Sequence, residues 1–228
     1  ATKNVAICIK IQVLNTPEDR RSRNLNELLA GFPYVNGKLF ADTLPMPFFD
    51  SDMRRILLEC CEFDWKDISP EIFGALFQSI MDRDKRRNLG AHYTSERNIL
   101  KLIQPLFLDE LWAELERIGR NRRKLHAFHD RLAGLRFLDP ACGCGNFLIV
   151  TYRELRKLEI EVIRRLHAEK GRIQKRIDVL DELVRLNVDQ FYGIEIEEFP
   201  VRIAEVALWL TDHQMNRELS AEFGLYFA

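Results

Sequence analysis

Nine consecutive residues, Asp139-Pro140-Ala141-Cys142-Gly143-Cys144-Gly145-Asn146-Phe147, bring together a carboxylate, two thiols and two glycines. A short, largely apolar run from Leu135 to Leu138 precedes them, and a long helical pattern follows. The spacing predicts a strand ending on Asp139, a tight glycine turn and then a helix N-terminus. Such a corner aims backbone N–H groups and one carboxylate at a ligand beyond the carboxyl edge of a sheet. Glycine suits it because a Cβ would block close approach of the ligand and oppose positive φ values. The chemistry on offer is the holding of a cofactor. Cys142 and Cys144 could be half of a metal site, but no second cysteine or histidine pair of matching spacing accompanies them, so no metal is expected.

A second acid follows the same logic. Gln190-Phe191-Tyr192-Gly193-Ile194-Glu195-Ile196 reads as a short strand ending in acid, with Pro200 and a helix from Val201 to Gln214 after it. A parallel strand there would put Glu195 at the same sheet edge as Asp139. A carboxylate so placed accepts hydrogen bonds from both hydroxyls of a ribose. A dinucleotide fingerprint would need glycine or alanine where Leu148 stands, and an acid ~20 residues on. Here the acid comes 56 residues after Asp139 (195 minus 139), a delay that a helical insertion accounts for. A Walker loop is excluded, because no Gly-Lys-Ser or Gly-Lys-Thr follows the glycines.

The elements that must carry these residues fall into two regions. Residues 1–88 read as mainly helical, with a strand or helix end from Val5 to Leu14. Turn-rich aromatic loops follow, Phe32 to Phe40 and Leu44 to Phe49. Asp50 or Ser51 caps a helix running to about Cys61, and Ser69-Pro70-Glu71 opens another, with Ile72, Phe73, Leu76, Phe77 and Ile80 as its core stripe. Residues 89–228 hold the glycine turn. Gly90 to Ser95 leads into a helix capped by Thr94 or Ser95, and Gly119 to Gly134 reads as a basic, solvated connector. Leu148 to Leu186, interrupted near Lys170-Gly171, predicts a helical hairpin inserted over about 148–187.

Composition bounds the class. With 228 residues, 46% hydrophobic and 30% charged, the chain can bury a sizeable core. No apolar run approaches the ~18 residues that span a bilayer, and no signal-peptide pattern opens the chain, so the expectation is cytoplasmic with no membrane contact. The five cysteines are irregularly spaced and read as reduced thiols. A net charge of -1 gives no global attraction to nucleic acid.

Three ordered motifs then carry a resemblance. Asp139 to Phe147 resembles the cofactor motif of S-adenosylmethionine-dependent DNA amino-methyltransferases. Gly90-Ala91-His92-Tyr93-Thr94-Ser95 and Tyr192-Gly193-Ile194-Glu195-Ile196-Glu197-Glu198 resemble the flanking motifs of the adenine-N6 enzymes. Phe32 to Phe40 and Ile68 to Ser95 further resemble single-chain restriction and modification enzymes of types IIG and IIL. Together the likeness runs from about Phe32 to Asn216.

The resemblance implies an α/β fold: the first half of a Rossmann-like class I methyltransferase domain, preceded by a mainly α-helical region. It implies that Tyr93 and Thr94 line the methionine end of S-adenosylmethionine, while Asp139 engages its ammonium. Pro140, Ala141, Cys142, Gly143 and Gly145 wrap the cofactor, Phe147 packs near it, Glu195 holds the ribose and Ile196 contacts the adenine. It implies double-stranded DNA as partner of a longer parent, with methyl transfer to adenine N6 after base flipping. The chain departs from the family in one respect. The Asn-Pro-Pro-aromatic or Asp-Pro-Pro-aromatic tetrapeptide that accepts from the target amine is missing, since the eight prolines include no adjacent pair. This implies a cofactor-binding portion of a longer protein, without catalytic residues of its own and inactive alone. Other readings are a methyltransferase of RNA, protein or small molecules, a nicotinamide oxidoreductase, or a non-catalytic interaction module.

Overall fold

The computed structural model describes residue 16, residues 18–22, residue 24 and residues 50–62, 68–69, 72–80, 94–167 and 183–223. The readings made for Val5 to Leu14, Phe32 to Phe40, Leu44 to Phe49, Tyr93 and most of the hairpin's second arm fall outside these residues. The chain divides into two units, Ala1–Trp65 and Lys66–Ala228.

Within the first unit, a short 3-10 turn at Glu18–Arg20 precedes helix α1, Ser51–Glu62. Asp50 caps α1: its Oδ1 accepts from Met53 N at 2.8 Å and its carbonyl from Arg54 N at 3.1 Å. The acceptor satisfies an otherwise orphaned N–H of the first turn, which is why an Asp immediately before an apolar run starts a helix.

The second unit is mainly helical around a two-stranded parallel sheet. Helix α2 spans Ile72–Ile80, and α3 spans Glu96–Ile103. Ser95 is the residue before α3, yet its side chain makes no cap hydrogen bond, and its carbonyl takes Asn98 N and Ile99 N instead. From α3 the chain continues through a wide π turn, Gln104–Leu108, into α4, Asp109–Ile118. Pro105 explains the wide turn. Proline lacks the N–H for the ladder and crowds the carbonyl four residues back, and one extra residue per turn relieves both.

Gly119, at φ 60°, ends α4, and Asn121 starts α5, Arg122–Gly134, by accepting Lys124 N at 3.1 Å. The basic connector expected here is thus mostly helix. Leu125, Phe128 and Leu132, all buried, supply the helical period, while the arginines and Lys124 occupy the wet side.

Strand β1, Phe137–Asp139, pairs in parallel with β2, Phe191–Gly193, in the register Phe137 to Phe191, Leu138 to Tyr192 and Asp139 to Gly193. Each strand is shorter than the sequence suggests, and Glu195 lies two residues beyond β2. Between them runs α6, Asn146–His167, and after β2 comes α7, Glu198–Phe223, longer than expected at both ends. One face of the sheet is inside. Phe137 and Phe191 stack at 5.0 Å, and Tyr152 of α6 meets Phe191 edge-on at 5.1 Å. Leu138 and Tyr192 stand on the other face, 63% and 51% exposed.

The core lies between α4, α5, α6 and the inner sheet face, built on Leu115, Leu125, Leu132, Leu148, Leu155 and Leu158. A charged network is buried beside it. Arg156 and Glu159 of α6 are both fully buried, with Nε and Oε2 3.5 Å apart. Glu159 Oε1 accepts from the backbone N–H groups of Arg185 and Leu186 at 2.7 and 2.9 Å, and His129 Nε2 lies 2.7 Å away. Arg156 donates to Leu186 O and to Asn216 Oδ1, and Tyr152 donates to Asp212 Oδ1 at 2.5 Å. Burial, with Asp212 adding to it, holds the Tyr152 hydroxyl in its protonated form. Buried charges stand only when paired and hydrogen-bonded. Here the pairing welds α5, α6 and α7 to the stretch that leads into β2. No helix among the described residues is long and apolar enough to cross a membrane.

Candidate cofactor-binding site

The glycine turn is stitched to the exit of β2. Ile194 N donates to Asp139 O at 2.9 Å and Cys142 N to Ile194 O at 3.0 Å, so the ladder outlasts both strands. Gly145 N then closes the turn on Cys142 O at 2.7 Å, and Ile149 N bonds Gly145 O to launch α6. Gly143 and Gly145 have φ of 53° and 80°, where an L side chain is strained. Their surroundings differ. A Cβ on Gly143 would meet nothing within 4 Å, whereas one on Gly145 would stand 2.8 Å from Ala204 Cβ. Gly143 therefore borders open space, and Gly145 lets α7 approach.

The two acids flank this turn. Asp139, half-buried, uses Oδ1 to accept Ala141 N at 3.0 Å. Glu195, also half-buried, takes Gly143 N on Oε2 at 3.0 Å, and Ile196 N and Glu197 N on Oε1 at 2.8 and 3.0 Å. A carboxylate has about four acceptor positions, so three are occupied and about one is left. A bidentate ribose contact would require Glu195 to give up one of these backbone bonds.

Cys142 and Cys144 are half-buried inside the turn. Burial, then the charges of Asp139 and Glu195, pushes the Cys142 thiol up to about 11. Burial, then Glu195 and Cys142, does the same to Cys144, also to about 11. Both remain thiols at neutral pH, the opposite of the depressed values that mark nucleophiles and metal ligands. Among the described residues no group of three or more His, Cys, Asp or Glu is gathered to hold a metal.

The remaining residues singled out from sequence are distributed as follows. Pro140 and Ala141 are exposed on the turn, and Ile196 is 92% exposed beside Glu195. Phe147 packs against the buried cluster of Ile99, Ile103, Leu108 and Val150. Thr94 is half-buried just before α3, where Glu96 pairs with Arg153 of α6. Arg153 lies seven residues into α6, about 10 Å along its axis from the glycine turn.

Two builders of the crevice were not identified from sequence. A Cβ on Gly193 would stand 2.5 Å from Cys142 Sγ, so β2 must end on glycine for the turn to pack beneath it. A glycine inside a strand signature is the signal for such close approach. Ala204 gave no signal beyond being small.

Residues 115–226 match the family described as MmeI, DNA-methyltransferase domain. The chain is 42% identical over 195 residues to DNA methyltransferase A of Bacillus subtilis, covering 85% of this chain and 21% of that protein. It is 29% identical over 244 residues to a putative type II restriction enzyme and methyltransferase of Methanocaldococcus jannaschii, covering 87% of this chain and 20% of that protein. A solved structure, the type IIL restriction-modification enzyme MmeI in complex with DNA, superposes over 100% of this chain and 30% of its own, with a TM-score of 0.88 and 62% identity. The chain thus spans about a fifth of the first two proteins and under a third of the last. Residues 115–226 are thus similar to the MmeI DNA-methyltransferase domain, within a chain that resembles the MmeI structure along its whole length.

Proposed function

We propose that this chain is the S-adenosylmethionine-holding part of a cytoplasmic DNA methyltransferase that modifies adenine N6 in duplex DNA, in a restriction-modification setting. The β1, α6, β2 succession is read as the first half of a Rossmann-like class I domain. One observation carries the proposal: Asp139 and Glu195 stand at the carboxyl ends of two adjacent parallel strands, with the positive-φ Gly143 between them.

The residues suit the group. Open space beside Gly143 admits a ligand that a Cβ would obstruct. The remaining acceptor position of Glu195 offers a ribose hydroxyl one hydrogen bond at once, and a second on release of Gly143 or a loop N–H. Ile196 gives an apolar surface for a purine, and Asp139 a negative charge for an ammonium. When bound, the cofactor supplies an electrophilic methyl group. The chain's part is to orient that group and to exclude competing ligands. Acceptance of hydrogen bonds from the target amine falls to a Pro-Pro tetrapeptide absent from these 228 residues, so the chain alone is expected not to methylate DNA.

Titration calorimetry tests the proposal. Wild-type chain should bind S-adenosylmethionine in preference to NAD. Glu195→Ala should weaken that binding by about tenfold, the loss of a charge-assisted hydrogen bond. Equal isotherms for wild type and Glu195→Ala would remove the ribose assignment, and preference for NAD would remove the cofactor.

A further inference from the structure

Helix α2 lies outside the matched methyltransferase segment, yet it touches the glycine turn. Gly74 is buried in the interior of α2, where glycine is less stable than alanine by backbone entropy. Its φ lies outside the left-handed range, so conformation does not call for glycine. Space does. A Cβ on Gly74 would stand 2.9 Å from Asn146 Oδ1, 3.1 Å from Asn146 Nδ2 and 3.3 Å from Cys144 Cβ. The α2 backbone is thus laid directly on the second half of the turn. Asn146 Oδ1, sealed beneath it, is buried without a hydrogen-bond partner. Two locally unfavourable choices meet at one junction, which is the pattern expected where function overrides stability.

The same helix is tied to α7. Gln214 Nε2 donates to Ile68 O at 3.0 Å, just ahead of α2, and α2 packs along α7. The turn is therefore gripped on three sides: Gly143 by Glu195, Gly145 by Ala204, and Cys144 with Asn146 by Gly74.

We infer that Gly74 is a positioning residue for the cofactor turn, and that α2 is the back wall against which the turn is set. The inference rests on the cofactor reading proposed above. By linkage, if docked α2 favours the cofactor-competent turn, bound cofactor must favour docked α2 to the same degree.

Three measurements on the full 228-residue chain test it, with a fourth reserved for a chain that binds no cofactor. Gly74→Ala should weaken S-adenosylmethionine binding about tenfold while the circular dichroism spectrum is kept. The same change in an Asn146→Ala background, which removes the two closest atoms, should cost much less. S-adenosylmethionine should slow amide hydrogen exchange in residues 72–80 of the wild type, a response that a purely structural wall would not give. Unchanged affinity in Gly74→Ala, or equal losses in both backgrounds, overturns the inference and leaves the cofactor reading standing. Should Gly74→Ala fail to fold, the exchange measurement decides, and no slowing overturns the inference. Absence of cofactor binding by wild type ends both the cofactor reading and the positioning role. Cys144 alkylation then judges the wall alone: a rate unchanged by Gly74→Ala removes it too.

Discussion

Gly145 carries two separable burdens, and a double-mutant cycle can weigh them apart. Its φ of 80° would cost an L-residue ~1–2 kcal/mol. A Cβ there would lie 2.8 Å from Ala204 Cβ and 3.2 Å from Ala204 Cα, an overpacking of ~1–3 kcal/mol. Gly145→Ala should therefore destabilise the second unit by about 2–5 kcal/mol. Ala204→Gly alone should cost ~1 kcal/mol, as glycine in a helix interior. Because it removes the nearest colliding atom, the double variant should be more stable than the sum of the singles by ~1–2 kcal/mol. The φ penalty and the crowding against the α7 backbone would remain. Guanidinium unfolding followed by far-ultraviolet circular dichroism reads all four corners of the cycle. Additivity within ~0.5 kcal/mol would refute the claim that α7 rests on the glycine turn.

Four further outcomes are expected. Glu159→Ala leaves buried Arg156 with only the Asp212 carboxylate, 3.7 Å away, and frees two backbone N–H groups, so it should lower unfolding stability by about 2–4 kcal/mol, and a loss below ~1 kcal/mol in denaturant titration would contradict the network. With thiols pushed up to about 11, Cys142 and Cys144 should resist iodoacetamide at pH 8 while exposed Cys60 reacts, as peptide mass spectrometry would read. Folding raises these two pKa values above the unfolded value near ~8.5, so their contribution is complete below it and fades as pH climbs towards 11; stability flat from pH 8 to 11 would count against the burial. Asn121→Ala should cost ~1 kcal/mol through loss of the α5 cap, measured as a lowered denaturation midpoint.

What the sequence disclosed depended on the range of the interaction. The glycine turn, the acid before it and Asp50 as a cap were legible because each is a local arrangement of backbone and one side chain. The helix Arg122–Gly134 was hidden by its charge. Six basic residues between Arg117 and Arg131 outweigh the three-leucine-or-phenylalanine stripe that decides the matter once α6 is present to bury it. β2 was drawn too long because Gln190 looks strand-like in sequence, while its side chain donates to Leu132 O and Leu135 O and belongs to a 3-10 turn. Ala204 and Gly74 owe their importance to atoms far away along the chain, and no spacing rule could reveal them. Glu195 was found for its charge; that three backbone N–H groups already claim most of its acceptor capacity is a tertiary fact.

The anchoring of Arg185 and Leu186 on Glu159 has a practical corollary for protein engineering. Because a carboxylate from α6 itself holds the backbone just ahead of β2, any redesign of the sheet edge has to keep Glu159, although it is no part of the glycine turn.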